Sequence, residues 1–148
     1  MEREEYMREA LVLAHEAVEA GEVPVGCVIT DSAGRIIGRG RNRREESTDA
    51  TAHAEIEAIR MACASLGDWR LDGCTMYVTL EPCPMCTGAI ILSRIPVLVF
   101  GAREELTGSC GSVIDLFSER YGHSPAVYPG VCADESAALL REFFQRRR

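Results

Sequence analysis

The chain has 148 residues, a formal net charge of −7 and 47% hydrophobic residues. This length predicts one domain, over residues 1–148, that buries about two thirds of the surface its unfolded form would expose. The seven cysteines are odd in number, and only one pair has a metal-type spacing, which argues against a disulfide framework and favours a reducing compartment. The charged N-terminus and the lack of a long apolar run predict no signal segment and no membrane span, so we expect a cytoplasmic protein.

The predicted secondary structure alternates between helices and strands. Apolar residues at helical spacing predict an opening helix over 2–20, which Gly21 ends. A buried strand over 23–30 and a second strand over 35–40, separated by a turn, predict a hairpin. The later predicted elements are a helix over 52–66, a strand over 75–80, a helix over 84–93, a strand over 97–100, a short helix over 113–117, a strand over 126–128 and a closing helix over 133–147.

The order of these elements predicts the fold class. Strand, helix and strand over 75–100 predict two parallel strands joined by a right-handed crossover. With the hairpin before this unit and one strand after it, we expect an α/β fold in three layers, built on a mixed sheet of about five strands.

Two short motifs fall at the starts of the second and third predicted helices. One is His53-x-Glu55 and the other is Cys83-x-x-Cys86. One imidazole and two thiolates are typical zinc ligands, and a zinc ion with three protein ligands keeps an open position, where the pKa of a water falls from about 15.7 to about 7. Residues two apart on a helix point about 200° away from each other, so His53 and Glu55 can share a site only at the helix entry, where Thr51 is placed to cap the helix.

These residue types predict a hydrolytic deaminase. Glu55 is the predicted catalytic residue, which takes a proton from the water and delivers it to a ring nitrogen and then to the leaving amine. The pattern matches the known signature of zinc nucleobase deaminases. A structural zinc site would need a fourth protein ligand, and no second metal-type spacing near the motifs supplies one. We therefore expect one Zn²⁺ per chain, held by His53, Cys83 and Cys86.

The charge distribution leaves a nucleic-acid partner open despite the negative total. Every basic residue is an arginine, and these cluster at Arg35, Arg39, Arg41, Arg43 and Arg44, and again at Arg141, Arg146, Arg147 and Arg148. Local basic patches of this kind can hold phosphates. The alternative is that they are solvated surface residues.

Longer runs of sequence resemble a known family. The runs 22–26, 51–55 and 77–86, followed by 100–103, 107–112, 133–135 and 143–144, resemble the bacterial tRNA-specific adenosine deaminases (TadA), of the cytidine and deoxycytidylate deaminase superfamily. The resemblance covers nearly the whole chain. It implies an α/β/α cytidine-deaminase-like fold, a homodimer, and conversion of the wobble adenosine in a tRNA anticodon stem-loop to inosine.

The resemblance also suggests substrate contacts. By position it assigns Asn42 a contact with the target nucleotide, which is flipped out of the RNA. The alternative is that Asn42 is a turn residue. Val25, Val28 and Leu80 are candidates for lining the base pocket, and they are equally good core residues. Phe144, near the end of the closing helix, is a candidate for stacking a base, and burial in the core is the alternative for it or for Phe143.

Two other functions remain open from the sequence. A deaminase of guanine, or of another free nucleobase or nucleoside, would share the zinc chemistry but would have no use for the arginine clusters. A zinc-stabilised module that binds RNA without turnover would gain nothing from Glu55, because burying a carboxylate beside an open metal position costs desolvation energy.

Overall fold

The structure of the protein is a computed structural model that describes residues 2–146. Its helices and strands, in chain order, are α1 (Arg3–Glu19), β1 (Gly26–Thr30), β2 (Ile36–Arg41), α2 (Ala54–Leu66), β3 (Thr75–Leu80), α3 (Pro84–Leu92), β4 (Val97–Ala102), a 3-10 turn (Leu116–Ser118), β5 (Ala126–Tyr128) and α4 (Ala133–Arg146). The predicted closing helix extends to residue 147, and the second arginine cluster to residue 148. Both of these residues lie outside the described part of the chain.

The five strands form one mixed sheet in the order β2-β1-β3-β4-β5. β1 pairs antiparallel with both β2 and β3, whereas β3, β4 and β5 run parallel to one another. The parallel pairing of β3 and β4, with α3 between them in the chain, confirms the prediction that these two strands are parallel. The prediction of a mixed five-stranded sheet is confirmed as well.

The side chains of the sheet enter two hydrophobic cores because successive residues of a strand point to opposite faces. On one face, Cys27 and Ile29 pack in a cluster with Ala58 of α2 and Ile90 of α3. On the other face, Val28 packs in a second cluster with residues of α1. An ion pair between α1 and α4 places those two helices in the same layer. The three-layer prediction is therefore confirmed, with α2 and α3 on one side and α1 and α4 on the other.

Helix α2 lies unusually close to the sheet because two glycines of β2 face it. A Cβ atom on Gly40 would collide with the carbonyl oxygen of Ala54, and one on Gly38 would collide with that of Ala58. Larger residues at these two positions would therefore push the helix away. The close contact fixes where the first turn of α2 lies relative to the end of β2.

Several predicted boundaries differ from the structure by one to three residues, and one predicted element is displaced along the chain. The strand predicted over 23–30 begins only at Gly26, and the helix predicted over 52–66 begins only at Ala54. The short helix predicted over 113–117 is displaced: a 3-10 helix is present, but it spans Leu116–Ser118 and starts where Asp115 accepts the N–H of Phe117 at 3.2 Å. Residues 113–115 are not helical and belong to a turn in which the N–H of Leu116 donates to the carbonyl of Ser109 at 2.9 Å.

Across residues 2–146, none of the helices combines the length and the apolar character that crossing a membrane requires.

Candidate active site

The predicted metal ligands and Glu55 meet at one edge of the sheet. β1 starts at the edge where β3 ends, because the two strands are antiparallel. The helices α2 and α3 both begin at this edge, and their N-cap residues are His53 and Cys83. Pro84 occupies the first turn of α3, where its missing N–H costs no intrahelical hydrogen bond.

The three predicted metal donors have the spacing of a tetrahedral zinc site. The Nδ1 atom of His53 lies 3.6 Å from the Sγ atom of Cys83 and 3.5 Å from that of Cys86. Zn–N bonds of about 2.0–2.1 Å and Zn–S bonds of about 2.3 Å, held at a tetrahedral angle, separate N and S by about 3.6 Å. Among the described residues these three form the one cluster of potential metal donors. The donor set and its dimensions both fit zinc with a fourth position left for a small ligand.

The two thiols of this cluster are electrostatically unequal. Hydrogen bonds, first from Cys86 and then from His53, lower the pKa of Cys83 to about 4 although partial burial opposes this. The pKa of Cys86 is raised, because it shares a hydrogen bond with Cys83 and is itself buried. The α3 N-terminus adds positive potential that favours a thiolate at Cys83. One thiolate therefore forms readily, and a divalent cation would favour the second.

Glu55 lies in the first turn of α2 and is only 4% exposed. Burial raises the pKa of its carboxyl to about 7, and the hydrogen bond from its own backbone N–H, together with the nearby His53, only partly offsets this. A carboxyl group that titrates near neutral pH is suited both to accept and to donate a proton. Its position beside the metal cluster matches the predicted role of a proton shuttle.

A cleft of about 200 Å³ opens over the metal cluster. Most of the residues predicted to contact metal or substrate line it: Asn42, His53, Glu55, Leu80, Cys83 and Phe144. Val25 also lines the cleft. Residues that are far apart in the sequence, from the beginning, the middle and the end of the chain, therefore line one cavity.

The prediction that Val28 lines the base pocket is wrong. Val28 is completely buried and packs with Tyr6, Met7 and Tyr77, on the α1 side of the sheet. The cleft is on the α2 side, which the neighbouring residues Cys27 and Ile29 face. The strand alternation that places Val25 toward the cleft places Val28 away from it.

Asn42 lies at the entry of α2 and is buried. Its Oδ1 atom accepts the N–H of Ala54 at 3.0 Å, so it caps the helix from a distant part of the chain. The predicted cap by Thr51 is wrong, because the Thr51 hydroxyl donates to Asp49 at 2.7 Å instead. The NH₂ group of Asn42 supplies two further donors that can meet a ligand.

The two phenylalanines near the end of α4 have different environments. Phe143 is buried, whereas Phe144 is 51% exposed and lines the mouth of the cleft. Their rings meet edge to face with centroids 5.3 Å apart. The buried ring therefore supports the exposed one in a fixed orientation beside the cavity.

Acidic neighbours neutralise most of the first arginine cluster. The paired residues of the cluster are Arg35 with Asp31, Arg39 with Glu9, and Arg41 and Arg43 with Glu46. Arg44 is exposed, lines the cleft and forms no ion pair among the described residues. Arg44 is therefore the member of this cluster best placed to meet an anionic ligand.

Two buried carboxylates, Glu22 and Glu81, were not among the residues predicted from the sequence to form the site. Glu22 accepts backbone N–H groups from the loop after β2, and Glu81 accepts them from the loop after β4. Burial alone would raise the pKa of Glu81, but the hydrogen bonds it accepts, first from Ser112, hold that pKa below its usual value. A charged residue directly beside an apolar strand was the available sequence signal, since such a residue is either exposed or a buried acceptor.

Comparisons with known proteins agree with this geometry. Residues 1–102 match the family described as the cytidine and deoxycytidylate deaminase zinc-binding region. The tRNA-specific adenosine deaminase of Bacillus subtilis (strain 168) is 47% identical over 144 residues, which cover 97% of this chain and 89% of that protein. The tRNA(Ile)-lysidine synthase of Deinococcus deserti is 51% identical over 142 residues, or 96% of this chain. This chain spans only 27% of that protein and 24% of the similar protein from Deinococcus radiodurans.

Solved structures are also similar over most of their length. One of them comes from a study of A-to-I editing by tRNA:A34 deaminases at the wobble position of transfer RNA. It has a TM-score of 0.89 and is 47% identical in sequence, and the match covers 92% of this chain and 99% of that structure's chain. The guanine deaminase from Nitrosomonas europaea has a TM-score of 0.83 at 29% identity, covering 95% of this chain and 83% of its own. The similarity in sequence and in structure is thus greater to the first of these two.

Proposed function

The chain belongs to the tRNA-specific adenosine deaminase family, within the cytidine and deoxycytidylate deaminases, and we propose that it converts the wobble adenosine of a tRNA anticodon to inosine by zinc-dependent hydrolysis. The observation that carries this proposal is the cluster of His53, Cys83 and Cys86 at zinc spacing beside buried Glu55. The reaction consumes one water and releases one ammonia. The substrate is cytoplasmic, and the reducing cytoplasm would keep the two cysteines available as ligands.

The zinc ligands would be His53 Nδ1 and the sulfurs of Cys83 and Cys86, with one ion per chain. When bound, zinc would lower the pKa of a water in its open position to about 7. Glu55 accepts a proton from the attacking water as its oxygen bonds to C6 of the adenine ring. Glu55 then transfers a proton to N1 of the ring, and the amine leaves as ammonia after a further proton transfer.

The walls of the cleft supply contacts for a flipped nucleotide. The Asn42 NH₂ group is a donor for an acceptor on the purine edge or the ribose. Val25 and Leu80 offer apolar surface to the base. Phe144 at the mouth would stack a flanking base, and Arg44 would meet a phosphate.

These features favour an RNA substrate over a free nucleobase. Phe144 is exposed at the mouth of the cleft and Arg44 forms no ion pair within residues 2–146, and free guanine would give neither side chain a partner. A module that binds RNA without turnover is disfavoured because Glu55 is a buried carboxyl beside the metal donors, and such burial is costly without a function.

We also propose that the chain forms a homodimer through α3 and the turn that follows β4. Leu92, at the end of α3, is 74% exposed, and Val113 and Ile114 are exposed on the neighbouring turn. Gly88 opens onto free space on the same helix. Large apolar side chains that are this exposed are typical of an interface. Sedimentation should give the mass of a dimer, and Leu92→Arg should shift it toward the monomer.

The test of the proposed activity uses the zinc-loaded chain and a transcribed anticodon stem-loop that carries adenosine at the wobble position. Free guanine, cytidine and adenosine are assayed in parallel, and a stem-loop with guanosine at the wobble position is the negative control. We expect inosine in the stem-loop and no turnover of the small substrates. Xanthine from guanine, with an unchanged stem-loop, would instead identify a nucleobase deaminase.

A further inference from the structure

Two buried glutamates lie on either side of the candidate active site. Glu22 precedes β1 and Glu81 directly follows β3, and each residue is only 2% exposed. Because β1 and β3 are antiparallel neighbours, the start of one and the end of the other lie at the edge of the sheet where the cleft opens. Neither carboxylate forms an ion pair among the described residues.

Glu22 binds the loop that follows β2. One carboxylate oxygen accepts the N–H of Glu45 at 3.1 Å, and the other accepts the N–H of Glu46 at 2.9 Å. This loop begins directly after Asn42 and carries Arg44, which are two of the residues that line the cleft. The Glu22 carboxylate is therefore the anchor for one wall.

Glu81 binds the loop that follows β4 on the other side. It accepts the N–H groups of Glu104, Cys110 and Ser112, each at 3.0 Å, and also the hydroxyl of Ser112. A Cβ atom on Gly108 would collide with the Glu81 carboxylate, so the loop closes directly over it. Four accepted hydrogen bonds use the acceptor capacity of the carboxylate. Although Glu81 lines the cleft, its oxygens are thus committed to the loop and not to a ligand.

We propose that Glu22 and Glu81 are positioning residues that hold the two loops in their substrate-binding conformations, so that the nucleotide cleft is formed before the RNA binds. This inference rests on the proposed function. A loop that is already ordered loses less conformational entropy when it binds a ligand. Each carboxylate therefore contributes to affinity through a loop, without contact with the reacting atoms.

The first test measures the loops directly, without any substrate. Amide hydrogen exchange is followed in the zinc-loaded wild type, in Glu22→Gln and in Glu45→Gln. Glutamine keeps one acceptor oxygen but turns an NH₂ group toward the second N–H donor. We expect the amides of Glu45 and Glu46 to be protected in the wild type and to exchange at least about tenfold faster in Glu22→Gln. Glu45→Gln is the matched control, since it removes an equal charge from the exposed side of the same loop and should leave exchange unchanged.

The second test separates positioning from a general effect on folding. Zinc content, kcat and KM for the wobble-adenosine stem-loop are measured for Glu22→Gln and for the shorter carboxylate Glu22→Asp. We expect full zinc content, a kcat close to wild type, and a KM raised about tenfold in Glu22→Gln, which corresponds to about 1.4 kcal/mol. Glu22→Asp should be intermediate because it keeps the charge.

The same comparison applies to the opposite wall. Glu81→Gln should raise KM with zinc retained, whereas Glu105→Gln, on the exposed side of that loop, should behave as wild type.

Unchanged exchange and unchanged KM in both glutamine variants of the buried residues would overturn the inference. Loss of zinc in these variants would also overturn it, because the glutamate would then support the metal site. A fall in kcat with KM unchanged would overturn it as well, because the glutamate would then act on the chemical step. If the wild type itself leaves the stem-loop unmodified, the proposed function fails, and the exchange experiment still decides whether the carboxylates hold the loops.

Discussion

The two faces of the central sheet differ in what they contribute, although the same strands form both. The face covered by α2 and α3 leads to His53, Glu55, Cys83 and Cys86, because both helices begin at the edge where the cleft opens. The face covered by α1 and α4 holds a hydrophobic cluster in which Val28 is completely buried. The comparison shows that chemistry follows the positions of the helix N-termini, while the opposite face contributes mainly packing.

The largest difference in zinc content and activity is expected between a cysteine on one face and a cysteine on the other. Cys86→Ala removes one of three metal donors, so zinc content should fall to background and stem-loop deamination should become undetectable. Cys132→Ala, on the α1 side, should keep zinc and activity. Metal analysis together with an inosine assay measures both. Retained zinc and activity in Cys86→Ala would break the assignment of the metal site.

Glu55→Gln separates catalysis from metal binding on the same face. Glutamine keeps the shape of the side chain but cannot transfer protons, so kcat should fall by about 10² to 10⁴. Zinc content and stem-loop affinity should stay near wild type, as measured by metal analysis and by a binding titration. Unchanged kcat in this variant would refute the proton-shuttle role.

Phe144 lies on α4, a helix of the opposite face, but its ring lines the cleft. Phe144→Ala removes a proposed stacking contact worth about 1–3 kcal/mol, so KM for the stem-loop should rise by about 5- to 150-fold. The kcat value and the melting temperature should change little, since the ring is half exposed. Phe143→Ala is the contrast, and its main effect should be on stability. Equal KM values for Phe144→Ala and the wild type would exclude the stacking role.

The smallest effect on activity is expected at Val28. Val28→Ala leaves a cavity in the α1-side cluster and should lower the free energy of unfolding by about 1–3 kcal/mol. At a temperature where the variant is fully folded, kcat and KM should equal those of the wild type. Denaturant unfolding and the inosine assay test this together. A change in KM would mean that Val28 influences the base pocket after all.

The sequence predicted the parts of the site that depend on local spacing. His53, Cys83, Cys86 and Glu55 each lie in the first turn of a helix or at its N-cap, so the period of the helix and the identity of the residues were sufficient. The parallel pairing of β3 and β4 followed from the strand, helix and strand order. The matched family and the similar structures confirm this fold.

The parts that the sequence did not predict depend on contacts between distant segments. The face to which Val28 points depends on the register of β1 in the sheet, and the apolar run over 25–30 gives no alternation from which to read it. The cap of α2 comes from Asn42, twelve residues before Ala54, and not from the adjacent Thr51. The roles of Glu22 and Glu81 likewise appear only when the loops fold over them.

X-ray absorption at the zinc edge of the zinc-loaded protein examines the coordination shell itself, and the site proposed here is a zinc ion with three protein ligands and one open position. We expect two sulfur donors at about 2.3 Å and two nitrogen or oxygen donors at about 2.0–2.1 Å, one of them from His53 and the other exchangeable with solvent or small anions. A third sulfur, such as that of buried Cys110, or a fourth donor that no added anion displaces, would identify a closed structural site and refute the proposed catalytic zinc.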